Sequence, residues 1–281
     1  MRIPKEPLQF LSPHEMDRIH RSALRILEEI GMEIHHHEAL DFLETAGCKI
    51  ERDKKQVLFP NGVVQRCVEK MRTGFSEREH PERMAVRYSH VRFRSEPFQI
   101  HEDFSVSTGG YCAFIYDLEG NRRQATLQDT RDALRVAHQL DQITYTGLPV
   151  AAQDVPLSIR PIRMAAELVK HTDKLGGIEA LTPFDVEYIC RIAEVVRGGT
   201  DELYRCPCLV GYAEVKTPLT LDKVMCDVFL EYLRRGIPQS LDTMPNAGAT
   251  APINPAGALT LGIAEPLVAW SWRMPSTRTH V

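Results

Sequence analysis

The feature that most constrains this chain is a repeat. Apolar, strand-like runs begin at Ile143 (ITYTGLPV), Lys174 (KLGGIEA), Pro207 (PCLVGYAEV) and Pro238 (PQSLD), about 32 residues apart, and a helix signal follows each. Thr182, Pro183 and Asp185 open a helix striped by Val186, Ile189, Ala193 and Val196. Leu221, Met225, Val228 and Tyr232 stripe another, closed by Gly236 and Pro238, and Asn254 with Pro255 starts the next. Apolar strands separated by amphipathic helices pair in parallel through right-handed crossovers. The pattern predicts an α/β fold with about four βα units, and by itself leaves open sheet and barrel both standing.

A doubly wound nucleotide binder carries a glycine-rich phosphate loop after a strand. Neither G-x-G-x-x-G nor G-x-x-x-x-G-K-[ST] occurs. The strand ends are instead polar and varied: Gln153 and Asp154 after the first run, Glu179 at the second, Tyr212 and Glu214 at the third, Asp242 and Met244 after the fourth. In a barrel these ends converge on the active site, which makes Gln153, Asp154, Glu179, Tyr212, Glu214 and Asp242 the candidate substrate-binding residues. The same side chains are equally at home on a hydrated barrel rim.

Upstream of the repeat the chain is organised differently. Ser12, Pro13 and Glu15 form a capping box, and Met16, Ile19, Ala23, Ile26, Leu27 and Ile30 follow at helical spacing until Gly31 stops the helix. A second helix is expected over about Glu38 to Ala46, ending at Gly47. A hairpin follows, of Cys48 to Ile50 and Gln56 to Phe59 around the charged turn Glu51 to Lys55, and then a third helix striped by Val64, Cys67, Val68 and Met71. From Gly74 to about Gln99 the chain reads as a polar, Arg-rich connector. Phe104 to Ser107, Cys112 to Tyr116 and Arg122 to Ala125 read as β-structure with a turn at Leu118 to Asn121; Thr126 and Asp129 cap a helix of about Leu127 to Leu140. Gly109 and Gly110 fit a tight turn or a close approach to a ligand. The expected domains are thus an N-terminal helical extension (1–75), a connector with hairpin and helix (76–142) and a partial βα barrel (143–281) whose tail is atypical from about residue 268.

Composition removes several function classes. A net charge of -4, with Lys and Arg scattered, is the wrong balance for nucleic acid. The first residues, MRIPKEPLQF, have no apolar core after their charges, and no apolar run reaches membrane-spanning length, so a cytoplasmic location without membrane attachment is expected. Seven cysteines at irregular spacing read as reduced thiols. Cys206 and Cys208 share a face of an extended segment, but nothing completes a zinc site, and no metal is expected. The run His35 to His37 reads as a solvated first turn of the helix after it.

Four stretches carry a resemblance. HRSALRILEEIGMEIHHHEALDFLETAGCKIERDKKQVLFP, GGYCAFIYDLEGNRRQATLQDTRDALRVA, QDVP at Gln153 to Pro156, and MPNAGATAPINPAGALTLGIAE at Met244 to Glu265 resemble, in the same order, the trimethylamine methyltransferase family. The resemblance implies a TIM barrel with an N-terminal helical extension. It also implies methyl transfer from a tertiary or quaternary methylamine, of the trimethylamine or glycine betaine type, to a corrinoid (cobalamin) on a separate corrinoid protein, with no cofactor bound directly. Such chemistry belongs to methanogenesis and one-carbon metabolism. A cationic substrate favours aromatic faces and carboxylates, which Tyr212, Glu179, Glu214, Asp154 and Asp242 supply. The family's pyrrolysine position lies beyond these residues, so the catalytic residue stays unassigned.

Family members run to nearly twice this length, and an eight-stranded barrel typically takes about 250 residues of its own. The expectation is therefore the first half of a barrel, with the family-like register lost after about Leu267 through a shifted frame or a truncated gene. Half a barrel leaves strand edges unpaired, which invites aggregation or pairing with a second copy as a homo-oligomer. A non-catalytic amine-binding module and an inactive fragment are the alternatives to an enzyme.

Overall fold

The computed structural model describes residues 9–76, 106–205 and 207–268. Most of the connector, Phe104, Cys206 and the tail after Val268 lie outside them. In chain order the elements are α1 (Pro13–Arg25), β1 (Met32–Ile34), α2 (His37–Thr45), β2 (Lys49–Glu51), β3 (Gln56–Leu58) and α3 (Asn61–Ser76). Then come β4 (Val106–Ser107), β5 (Phe114–Tyr116), β6 (Arg122–Gln124), α4 (Leu127–Gln139), β7 (Ile143–Thr146), α5 (Arg160–His171), β8 (Leu175–Glu179) and α6 (Pro183–Arg197). The last are α7 (Thr200–Arg205), β9 (Leu209–Glu214), β10 (Thr220–Leu221), α8 (Lys223–Arg234), β11 (Gln239–Asp242) and α9 (Pro255–Leu267). The chain divides into two compact units. One comprises the residues up to Lys70, Val215–Asp222 and the segment from Asp242; the other comprises the rest.

In the first unit, α1 starts at the expected capping box: the Ser12 side chain takes the Glu15 N–H, and the Glu15 carboxylate takes the Ser12 N–H at 2.8 Å. A five-residue π turn, Ile26–Ile30, finishes this helix, and Gly31 (φ 75) turns the chain into β1. The His36 side chain caps α2 by accepting the Ala39 N–H, so one histidine of the run has a structural task. The hairpin β2–β3 forms where the alternating pattern places it. It joins a four-stranded sheet, β10-β1-β3-β2, with β10 parallel to β1 through Glu33↔Thr220 and Ile34↔Leu221. Leu221 is therefore a strand residue, and α8 begins only at Lys223: the strand pairing takes Leu221 away from the apolar stripe it would continue. Leu27, Met32, Ile34, Leu43, Val57 and Phe59 are fully buried, and α9 packs on α1.

The second unit holds the repeat. Its sheet has the order β11-β9-β8-β7-β4, which is the order of the strands in the chain. The pairs β4·β7, β7·β8 and β8·β9 are parallel. The bonds Gly211 N to Pro238 O and Val215 N to Asp242 O advance together along both strands, so β9 and β11 are parallel too. With every crossover stepping the same way there is no switch point, and the helices stack on one face. The result is a curled, partly closed parallel sheet, half of a βα barrel, preceded in the chain by the N-terminal helical region.

Two details differ from the pattern. Residues 106–107, read with the hairpin, belong to the parallel sheet as β4, while the hairpin β5–β6 stands as a separate two-stranded sheet. Helix α3 runs on through Gly74 to Ser76, a glycine inside a helix costing only about 1 kcal/mol.

Glycines decide which strand face packs on helices. A Cβ on Gly176 would lie 2.8 Å from Leu168 Cγ on α5, and one on Gly211 would lie 2.6 Å from the Tyr232 ring on α8. Residues 176 and 178 of β8, and 209, 211 and 213 of β9, therefore face the helical layer. Alternation sends Leu175, Gly177 and Glu179, and Val210, Tyr212 and Glu214, to the inner face.

Lys174, 1% exposed, enters the sheet just before β8. Its ammonium donates to the carbonyls of Ala137 and Leu140, the latter at 2.7 Å, and so caps the C-terminal turn of α4. A cation at the negative end of a helix dipole is well placed. Lys174→Met keeps most of the apolar stem and strands two buried carbonyls, so it is expected to cost about 1–3 kcal/mol in chemical denaturation.

Candidate functional site

The inner face of the second unit places part of the expected set together. Glu179 and Tyr212 are register partners across β8 and β9, and Glu214 lies two residues further along the same face of β9, at the strand's C-terminal end. Beneath them the two hydroxyls of Tyr145 (β7) and Tyr212 meet over Gly177. A Cβ there would lie inside both hydroxyl oxygens and 2.5 Å from Tyr212 Cε2. Tyr145 and Leu175 pack together with Val210 and Tyr212 against them, so the phenols rest on an apolar floor. Burial raises the carboxyl pKa of Glu179 above its ordinary value, and the charge of Glu214 adds to the shift. Burial disfavours an uncompensated charge, and a second carboxylate disfavours it further; a cation placed between them reverses both effects.

Tyr111, in the loop after β4, packs instead against the helix-side cluster that holds Met164, Leu168 and Ile178. Its backbone is held at φ 66 by the bond from its N–H to Leu148 O at 2.8 Å, directly after Gly109 and Gly110, around which a Cβ would meet nothing within 4 Å. A tyrosine in the left-handed region costs about 1–3 kcal/mol, which the surrounding contacts offset. The phenol lies 4.0 Å from Met164 Sδ on α5. Its pKa is pushed up to about 12, first by burial and then by the charge of Glu179, with Arg160 opposing. Arg160 opens α5 and donates from Nε and Nη2 to Val155 O at 3.3 and 3.2 Å.

Gln153 and Asp154 are engaged elsewhere. The Asp154 carboxylate accepts the Leu127 N–H at 2.8 Å and so closes the first turn of α4, while Gln153 Nε2 donates to Ala151 O at 2.9 Å. Asp242 belongs to the other unit, where its carbonyl accepts the Val215 N–H at 2.8 Å. That unit has a polar centre that sequence reasoning passed over. Glu265, fully buried, accepts from Thr217 Oγ1 (2.8 Å), from the Leu219 N–H (2.8 Å) and from Thr243 Oγ1. It ties the loop after β9 to the residue following β11. Its signal was its place in the apolar stripe of α9, where a charge demands partners.

Among the described residues no group of three or more His, Cys, Asp or Glu side chains is arranged to hold a metal ion. Cys48, Cys67, Cys112, Cys190, Cys208 and Cys226 are not in disulfides, and burial pushes Cys48 and Cys190 up to about 12. No described helix is long and apolar enough to cross a membrane.

A curled parallel half-barrel with carboxylates and phenols on its inner face, and an N-terminal helical region before it in the chain, is the architecture of a truncated βα barrel with a helical extension. The profile described as trimethylamine methyltransferase (MTTB) matches residues 1–274, and the chain belongs to that family. It is 30% identical over 271 residues to a glycine betaine methyltransferase of Desulfitobacterium hafniense strain Y51, covering 96% of this chain and 53% of that protein. It is 26% identical over 262 residues to the trimethylamine methyltransferase MttB of Desulfitobacterium hafniense strain DSM 10664 / DCB-2, covering 92% of this chain and 50% of that protein. A third relative, the trimethylamine methyltransferase MttB of Methanosarcina barkeri strain Fusaro, matches at 30% over 149 residues, 50% of this chain and 29% of the relative. The chain thus spans about half the length of the first two curated relatives it matches.

Proposed function

We propose that this chain supplies the amine-binding half of a corrinoid-dependent methyltransferase, with a tertiary or quaternary methylamine seated on the inner face of the sheet. The observation that carries the reading is the placement of Glu179 and Glu214 above Tyr145 and Tyr212 on that one face. A methylated ammonium has a diffuse positive charge and an apolar surface. Phenol faces attract such a cation while tolerating its methyl groups, and carboxylates compensate its charge.

In this reading the corrinoid rides on a separate protein, and carboxylates and phenols suit the amine rather than a corrinoid. When present, cob(I)alamin supplies the nucleophile that takes the methyl group, the amine leaving with the bonding pair. The residues of this chain hold the nitrogen and aim one methyl outward at the strand ends, which is catalysis by orientation. Gln153 and Asp154 serve as rim positions in the same proposal, through the loop they brace.

The test is calorimetric titration of the purified chain with trimethylamine and glycine betaine, followed by addition of cob(I)alamin and a search for the methylcobalamin spectrum. Binding of either amine supports the reading, and its absence in a folded protein overturns it. Affinity is expected to rise with pH through the elevated pKa of Glu179, because only the ionised carboxylate attracts the cation. Glu179→Gln is expected to abolish that dependence and to weaken binding about tenfold, or 1.4 kcal/mol. A pH profile identical in the variant would assign the dependence to another group.

A further inference from the structure

Four aromatic or acidic side chains, those of Tyr145, Tyr212, Glu179 and Glu214, line the inner face, but the residue that decides how deep the face is has no side chain. Gly176 and Gly177 are neighbours in β8 and point to opposite faces. A Cβ at 176 would meet only Leu168 on α5, so that glycine serves helix packing. A Cβ at 177 would meet the hydroxyl of Tyr145, the hydroxyl of Tyr212 and Tyr212 Cε2. Two phenols from the strands on either side of β8 thus reach across the place where residue 177 would carry its side chain. Tyr145 is 6% exposed and lies lower; Tyr212 is half-buried and lies beside Glu179 in register. The acids Glu179 and Glu214 stand one step toward the strand ends from this phenol layer.

We propose that Gly177 is the specificity-determining residue of this site: by letting Tyr145 and Tyr212 lie across β8, it sets the position of a phenol floor below Glu179 and Glu214 and with it the size of ammonium head that the face admits. The inference rests on the reading of this face as an ammonium site. Any side chain at 177 pushes the phenols toward the acids and makes the site shallower, while shortening Tyr212 makes it deeper. Size selection then follows from the position of that floor, since one methylene too many against an apolar wall that cannot yield costs about 10-fold to 200-fold in discrimination.

The experiment measures binding of tetramethylammonium and tetraethylammonium, whose charge is the same and whose size differs, to the whole chain and to two variants. Wild type is expected to favour tetramethylammonium by about tenfold or more. Gly177→Ala, if folded by near-ultraviolet circular dichroism, is expected to weaken tetramethylammonium about tenfold by raising the floor. Tyr212→Leu is expected to move the ratio toward tetraethylammonium, and it decides the question if Gly177→Ala does not fold. A ratio unchanged in Tyr212→Leu, or unchanged affinity in folded Gly177→Ala, overturns the role of Gly177 while leaving the ammonium site standing. A wild-type chain that binds neither ion overturns the ammonium site and the inference together.

Discussion

Gly31→Ala is expected to lower the stability of the first unit by about 3 kcal/mol or more, seen as a shift of its urea midpoint of about 1–2 M. Two costs combine at this position. The backbone sits at φ 75 and ψ -158, a region that is essentially glycine-only and costs other residues about 1–3 kcal/mol. The added Cβ would also lie deep inside contact with the carbonyl oxygen of Val57 and 2.8 Å from its carbon, which is backbone and cannot swing aside. Relief requires β1 to part from β3, to which it is hydrogen-bonded through Met32↔Val57 and Glu33↔Gln56. Gly120→Ala provides the control: φ is 86, but a Cβ there meets nothing within 4 Å, so only the backbone cost of about 1 kcal/mol is expected. Equal losses at the two sites would show that the Val57 contact is not what makes Gly31 obligatory.

Glu167→Ala is expected to be the most damaging charge removal in the second unit, at about 2–4 kcal/mol. The side chain is 2% exposed, between α4 and α5. It takes a bidentate pair from Arg131 at 2.9 and 3.0 Å, a contact from Arg163 at 3.2 Å and one from His171 Nε2 at 3.2 Å. Removing the carboxylate leaves several basic groups facing one another, with only Arg163 able to retreat into solvent easily. Arg131→Ala should cost less, because Glu167 keeps two other partners. The Arg131 hydrogen bonds hold the Glu167 carboxyl below its ordinary range. A depressed acid pKa stabilises the fold at pH above the unfolded value and loses that contribution as pH falls through the folded one. The wild-type chain should therefore lose stability on acidification below about pH 4.3, and Glu167→Gln should flatten that slope. An unchanged slope would place the acid sensitivity elsewhere.

The short-range signals were legible because their physics is short-range. Ser12 with Glu15, Thr126 with Asp129 and Thr182 with Asp185 each form the capping box their spacing implies. Asn254 caps α9 through bonds to the N–H groups of Ala256 and Gly257. The repeat of strands and helices followed from hydrophobic periodicity alone. Other features depend on partners far along the chain. Met32–Ile34 carries only a three-residue strand pattern, and its pairing with Thr220 and Leu221 is invisible until the two segments meet. In the sequence Tyr145 is one strand residue among several. What makes Tyr145 a candidate is the inner face it shares with Glu179 and Tyr212. Asp154 shows the converse, a carboxylate at a strand end whose local helix claims it first.

Propensity, capping and alternation act within a few residues, so most of the helices, the strands of the repeat and the parallel α/β class are legible in the chain alone. Only the tertiary structure decided that one glycine of β8 serves helix packing and its neighbour lies beneath two tyrosines. Which way a strand face points is set by the layer that buries it, and that layer is assembled from residues a helix or more away in the chain.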